Sequence, residues 1–137
     1  MITQNYIKMC EKAEEMQKWY FNSEYERIND NWLFEYDLFA CKEHRTIFRL
    51  HGQYICPAME GNLCNRENNK IWLPTQEQLQ EMIHLTDWHG ILVAFFYWYG
   101  DFGFKEITSI NDLWLAFVMY EKYHKIWNGK DWIKGVK

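Results

Sequence analysis

Nine consecutive apolar residues, 91–99 (ILVAFFYWY), constrain this chain more than any other stretch. A membrane-spanning helix needs roughly 20 such residues, so the run is too short to cross a bilayer and is expected in the core. Periodicity alone leaves it open, since nine apolar residues fit a buried strand as well as a buried helix. The flanks favour a helix over 87–99, with Thr86 as cap, Asp87 in the first turn and Gly100 as the stop.

The rest of the chain reads as an α+β domain of 137 residues, enough for one core but not two. Residues 4–20 carry Tyr6, Met9, Cys10, Ala13, Met16 or Gln17, and Tyr20 at helical spacing, with Lys8, Glu11, Lys12, Glu15 and Lys18 elsewhere. After a polar connection, residues 32–41 alternate Phe34, Tyr36, Leu38 and Ala40 against Glu35 and Asp37. Residues 45–56 alternate in the same way, and Lys42, Glu43 and His44 make the short loop of a hairpin. The pairing that keeps both faces consistent sets Cys41 opposite Arg45, Leu38 opposite Phe48 and Tyr36 opposite Leu50. It leaves Asp37 with Arg49 and Glu35 with His51 on the outer face.

Residues 57–69 have loop composition, with Pro57, Gly61 and several Asn, and a third strand is expected at 70–73. Pro74 closes that strand. Thr75 then caps a helix over 75–84, because Gln78 stands three residues on at capping-box spacing and Leu79, Met82 and Ile83 form one face. Ser109 and Asp112 open the last helix, 109–127, whose centre (LWLAFVMY, 113–120) is apolar on all sides and belongs in the middle of the domain. Asn128-Gly129 is its stop. The expected architecture is a small antiparallel sheet, made of the hairpin 32–41/45–56 and a third strand 70–73, packed against four helices, 4–20, 75–84, 87–99 and 109–127.

Charge and cysteine usage narrow the function classes. The net charge is −4, with residues 1–43 acidic and residues 105–137 basic, which is not the balance of a globally basic nucleic-acid binder. Cys10, Cys41, Cys56 and Cys64 show neither CxxC pairs nor a zinc-knuckle spacing, so reduced thiols in a cytosol are expected. The first residues, MITQN, have neither the basic nor the apolar region of a secretory signal, so none is expected.

Candidate chemistry is thin. Glu35, Asp37 and His51 could converge on one hairpin face, and His84, Asp87 and His89 lie close in sequence, but neither group has a recognised metal-ligand spacing. Exposed ion pairs for the first group and a helix terminus with a capping acid for the second are the preferred explanations. Cys56 and Cys64, flanking the long loop, are the better thiol nucleophiles, yet no local signature supports them. Gly100-Asp101-Phe102-Gly103 lacks every frame of a phosphate loop and reads as a turn. No catalytic residue, metal or cofactor is therefore expected.

Aromatic side chains remain: 8 Trp, 9 Tyr and 9 Phe, 19% of the chain. Lys122, Lys125, Lys130, Lys134 and Lys137 lie near Tyr123, Trp127 and Trp132, an arrangement that single-strand binders use, but the net charge opposes a polyanion and nucleic acid is not the expected partner. Trp and Tyr are enriched in protein interfaces. Aromatics without an obvious core partner are thus the candidate protein-binding residues: Trp19, Trp88, Trp127 and Trp132, with Lys130.

Three blocks, 12–17 (KAEEMQ), 71–82 (IWLPTQEQLQEM) and 113–123 (LWLAFVMYEKY) running on to 127–132 (WNGKDW), resemble a family of small uncharacterised proteins encoded by phages and prophages of Gram-positive bacteria. The resemblance implies an accessory protein that binds a host or phage protein, of the kind that includes anti-CRISPR and anti-restriction inhibitors. It carries over no residue role. The alternative expectation is a small-molecule or nucleotide binder with an aromatic-lined pocket between the hairpin and the last helix. A homodimer is compatible with either, and no membrane association is expected.

Overall fold

The computed structural model describes residues 2–22, 37–49, 70–83, 87–101, 107 and 109–135. Thr3 opens the first helix, α1 (Gln4–Lys12), its hydroxyl oxygen accepting from the Tyr6 N–H at 3.0 Å. Tyr6, Ile7, Met9 and Cys10 are buried along one stripe, as their spacing requires. The single helix expected over 4–20 is in fact two. Ala13, at φ −82° and ψ 70°, leaves the helical region and separates α1 from α2 (Glu14–Phe21).

Gln17 stabilises that break. Its amide nitrogen donates to the Cys10 carbonyl at 3.0 Å, which also accepts from the Ala13 N–H at 3.1 Å, and to the Trp72 carbonyl at 2.9 Å. Because the chain bends at Ala13, α2 turns Met16 and Tyr20 into the core separately from the stripe of α1.

A three-stranded antiparallel sheet follows, β1 (Leu38–Cys41), β2 (Ile47–Arg49) and β3 (Lys70–Leu73), in the order β2-β1-β3. The hairpin and the third strand stand where the alternation puts them, but the register is one residue away from the expected one. Phe39 pairs with Phe48 and Leu38 with Arg49. The reason lies in the turn. Arg45 adopts a left-handed conformation (φ 58°), Cys41 N–H donates to Thr46 O at 3.0 Å and Arg45 N–H donates to Cys41 O at 2.8 Å, so the loop holds four residues rather than three. The Arg45 guanidinium is held by Glu11 of α1 at 2.7 Å. Slipping by one residue exchanges the faces, and Phe39 rather than Leu38 meets Tyr20 edge-on at 5.8 Å.

Asp37 is corrected by the same shift. Far from facing solvent opposite Arg49, it is buried, accepting from the Tyr20 hydroxyl at 2.6 Å and from the Gln78 amide at 2.7 Å. The expected partners Glu35, Tyr36, Leu50 and His51, the outer strand ends 32–36 and 50–56, and the loop 57–69 lie outside the described residues. On the other side of β1, Phe39 pairs with Trp72 and Ala40 with Ile71. All four residues of β3 are buried, so both of its faces are covered.

Thr75 caps α3 (Gln76–Glu81) through the reciprocal capping box that its spacing to Gln78 predicts. The helix is shorter than 75–84, ending at the Met82 C-cap, with Leu79, Met82 and Ile83 buried as expected. At the start of α4 (Trp88–Asp101) the Asp87 carboxylate accepts from the Gly90 N–H at 2.7 Å and its carbonyl from the Ile91 N–H at 3.2 Å, while Thr86, the expected cap, lies outside the described residues. Gly100 lies inside this helix rather than stopping it.

Ser109 caps α5 (Ile110–Tyr123), and Trp114, Leu115, Ala116, Phe117, Val118, Met119 and Tyr120 are all buried, which makes this the central helix. It packs against both α1 and α3. The helix does not reach 127. His124 turns left-handed at φ 55° and ends it, and a hairpin follows, β4 (Lys125–Trp127) and β5 (Trp132–Lys134), that was not expected from the sequence. Asn128 closes the turn by accepting from the N–H groups of Lys130 and Asp131 at 2.9 and 2.8 Å, with Gly129 at φ 95°.

Candidate functional site

Among the described residues the most exposed apolar surface is α4, the same run that the sequence assigns to the core. Only a stripe of it is covered: Ile91 and Trp98 are buried, Ala94 and Phe95 half-buried, at the i, i+3, i+4, i+7 spacing of one helix face. Phe95 stacks on Trp114 with centroids 4.5 Å apart and meets Phe117 edge-on at 5.2 Å, while Trp98 lies 5.3 Å from Phe117. These contacts fix α4 on α5.

The other side faces water. Trp88 is 63% exposed, Leu92 54%, Phe96 74%, Tyr97 69% and Tyr99 53%, with Val93 beside them. At 3.6 residues per turn these side chains cover about half of the helix circumference. Trp88, Phe96, Tyr97 and Tyr99 alone leave roughly 500 Å² of aromatic surface in contact with water, as large as the largest patch on a typical monomer. No charged side chain interrupts the arc between Asp87 and Asp101, and its most polar member is the exposed His89. One buried stripe covers only part of a helix whose apolar residues go all the way round.

The surroundings of this arc are acidic. Beside its N-terminal end a groove of about 360 Å³ is lined by Glu77, Gln80, Glu81, Asp87, Trp88 and Ile91. Among the described residues, Lys and Arg are absent between Lys70 and Lys122, while Glu77, Glu81, Asp87, Asp101 and Glu121 are all exposed there. The described basic side chains belong to α1, α2, the three-stranded sheet, the end of α5 and the terminal hairpin.

Of the aromatics nominated from sequence, three are occupied inside the fold. Trp127 is buried, its ring 5.1 Å from Trp132 and the Lys8 ammonium 5.9 Å from its centroid. Trp132 donates its indole N–H to the Met9 carbonyl at 2.9 Å. Trp19 is half-buried, 5.8 Å from Trp72, and carries the Lys122 ammonium over its face at 5.0 Å. Trp88 and Lys130 are exposed, one on α4 and the other in the β4–β5 turn. Leu92, Phe96, Tyr97 and Tyr99 were missed because an unbroken apolar run reads as core.

In the basic tail, Lys130 and Lys134 are exposed, whereas others are engaged. Lys125 is paired with Glu15, Lys122 lies over Trp19, and Lys137 is outside the described residues. Burial tends to raise the Glu15 carboxyl, but the Lys125 hydrogen bond and charge outweigh it and hold the group below its ordinary value.

Nor do the described residues assemble a reactive centre. Burial pushes the Cys10 thiol well up, which keeps it neutral and gives it none of the thiolate character a nucleophile needs. The Tyr6 phenol is raised in the same way and donates to the Pro74 carbonyl at 2.6 Å. Asp112, fully buried, accepts from the Asn5 amide at 2.9 Å. Cys41 is also buried, its sulfur 3.5 Å from His44 Nδ1. Asp87 is engaged as a cap and His89 points outward; His84, Cys56 and Cys64 lie outside the described residues. No cluster of three metal-ligating side chains occurs among the described residues.

A cleft of about 490 Å³ opens along α2, where Lys18, Lys42 and Lys70 face Glu11 and Glu14, with Phe21 as its aromatic side chain. It lies against α1, α2 and the sheet, not between the hairpin and the last helix. Among the described residues, no helix is long and apolar enough to cross a membrane. No protein-family model, curated protein or solved structure matches this chain.

Proposed function

We propose that this protein acts by binding another protein, and that the open arc of α4 is the contact surface. The carrying observation is Phe96, 74% exposed at the centre of an uncharged face that also presents Trp88, Leu92, Tyr97 and Tyr99. Leaving such surface in water costs about 25 cal/mol per Å², which a partner recovers by covering it. Aromatic side chains of this kind form the anchors of protein interfaces.

The resemblance of residues 12–17, 71–82 and 113–132 to phage and prophage proteins supports a host or phage protein as the partner, and an accessory role of the anti-defence type, directed at a restriction or CRISPR component. The test is a photocrosslinking amino acid in place of Tyr97, expressed in a Gram-positive host, with the same group in place of exposed Glu43 as control. A protein adduct from position 97 and none from position 43 is the expected result. Absence of any adduct from position 97 overturns the reading.

The cleft along α2 favours a second reading, a binder of small anionic molecules held by Lys18, Lys42 and Lys70. A thermal-shift series with nucleoside phosphates decides it, because a ligand at about 100 times its dissociation constant adds roughly 2.7 kcal/mol. No shift across that series removes the reading.

A further inference from the structure

Taking α4 as a protein-docking face, we infer that its occupant is a cationic amphipathic segment of the partner, with an apolar stripe flanked by Lys or Arg. Two features of the surface specify that chemistry. The arc itself, about 21 Å long over fourteen residues, is uncharged and dominated by Leu92, Val93, Phe96 and the rings of Trp88, Tyr97 and Tyr99, which suits the apolar stripe of a helix laid along it. Among the described residues the rim is of one sign: Asp87 and Asp101 stand at the two ends of α4, and Glu77 and Glu81 line the groove beside Trp88. No described Lys or Arg between positions 70 and 122 balances them.

Complementarity of sign across an interface steers encounter and excludes wrong partners. A segment with basic residues on either side of its apolar stripe meets Asp87 or Glu81 at one end and Asp101 at the other. A second copy of this chain laid antiparallel on the arc would instead bring Asp101 of one molecule towards Asp87, Glu77 and Glu81 of the other, four carboxylates with no cation among them. An anionic bilayer is disfavoured for the same reason.

The experiment is calorimetric titration of the purified full chain with a synthetic fourteen-residue peptide that places Leu and Lys at helical spacing, and with its counterpart in which Glu replaces Lys. The Leu/Lys peptide binds and the Leu/Glu peptide does not. Phe96→Lys weakens binding at least about 30-fold, the size of losing an interface anchor. Phe96→Glu weakens it less, because the added charge has the attractive sign. Glu77→Gln together with Glu81→Gln reduces affinity about fivefold at low ionic strength, and the reduction shrinks at about 0.5 M salt, where exposed charges are screened.

Equal binding of both peptides, or equal losses for Phe96→Lys and Phe96→Glu, overturns the inference and leaves α4 as a docking face of another chemistry. Sedimentation that finds concentration-dependent dimers, abolished by Phe96→Lys, assigns the face to a second copy and also overturns it. So does partition into phosphatidylcholine vesicles without peptide binding. Binding to none of these probes ends the inference too, whereas the docking reading stands or falls separately on the adduct from position 97 in cells.

Discussion

The side chain of Gln17 serves Trp72 as a neighbouring strand would: its amide oxygen accepts from the Trp72 N–H at 2.8 Å and its amide nitrogen donates to the Trp72 carbonyl at 2.9 Å. β3 is an edge of the sheet, and Gln17 satisfies the outward groups of its central residue while holding the end of α1 through Cys10. Gln17→Ala removes three hydrogen bonds around buried backbone, and a loss of about 2 kcal/mol is expected from urea unfolding. Gln17→Glu keeps the acceptor but sets a carboxylate against two carbonyls, so it should be worse than Ala at neutral pH and better in acid. If neither variant shifts the midpoint, the bridge is not structural.

Alkaline pH should loosen the contact between α2 and the end of α5. Burial, together with the neighbouring Glu15 carboxylate, pushes the Tyr123 phenol up from 10.0 to about 12. The folded state therefore holds that proton more tightly than the unfolded state. The resulting contribution to stability is whole below pH 10.0 and is lost as the pH rises towards about 12. Unfolding midpoints across that interval should fall, and Tyr123→Phe should fall less steeply. An unchanged slope in the variant would assign the decline to other groups, Tyr6 first among them.

What was legible in the sequence was local. The caps Thr75 and Ser109 bond the N–H groups three residues on, and spacing alone finds them. The α+β class and the buried α5 follow from periodicity. The hairpin register was not legible, because it depends on Arg45 in a left-handed turn, which Glu11 holds from 34 positions away. The break at Ala13 has no Gly or Pro to announce it. Asn128-Gly129 reads equally as the end of a helix or the turn of a hairpin, and only the docking of Trp132 on Met9 distinguishes them. The exposed arc of α4 was hidden most completely. An apolar run says that a helix has surface to bury, but not how many neighbours it has to bury it against.

Trp132 and Phe96 should consequently separate in a mutational test. Trp132→Phe leaves the Met9 carbonyl without its donor and loosens the terminal hairpin, at an expected cost of about 1–2 kcal/mol. Phe96→Ser touches nothing in the core and should change stability by no more than about 0.5 kcal/mol, while improving solubility. Chemical denaturation of both variants checks the pair. A large loss for Phe96→Ser would mean that the ring is covered within the monomer.

Gly100 gives the last prediction. It lies in the final turn of α4, not at a positive φ, and a Cβ built there meets nothing within 4 Å. Neither a left-handed backbone nor a close packing contact therefore calls for glycine. In a helix the residue is costly, because its unfolded state has more conformational freedom to lose. Gly100→Ala should raise the unfolding midpoint by the equivalent of about 0.5 kcal/mol, towards the low end of the usual range because the position is near the helix terminus. Thermal denaturation measures this directly. A lower midpoint would show that the space beside Gly100 is filled in solution. If stability rises while the adduct from position 97 disappears, the glycine is kept for the close approach of a partner.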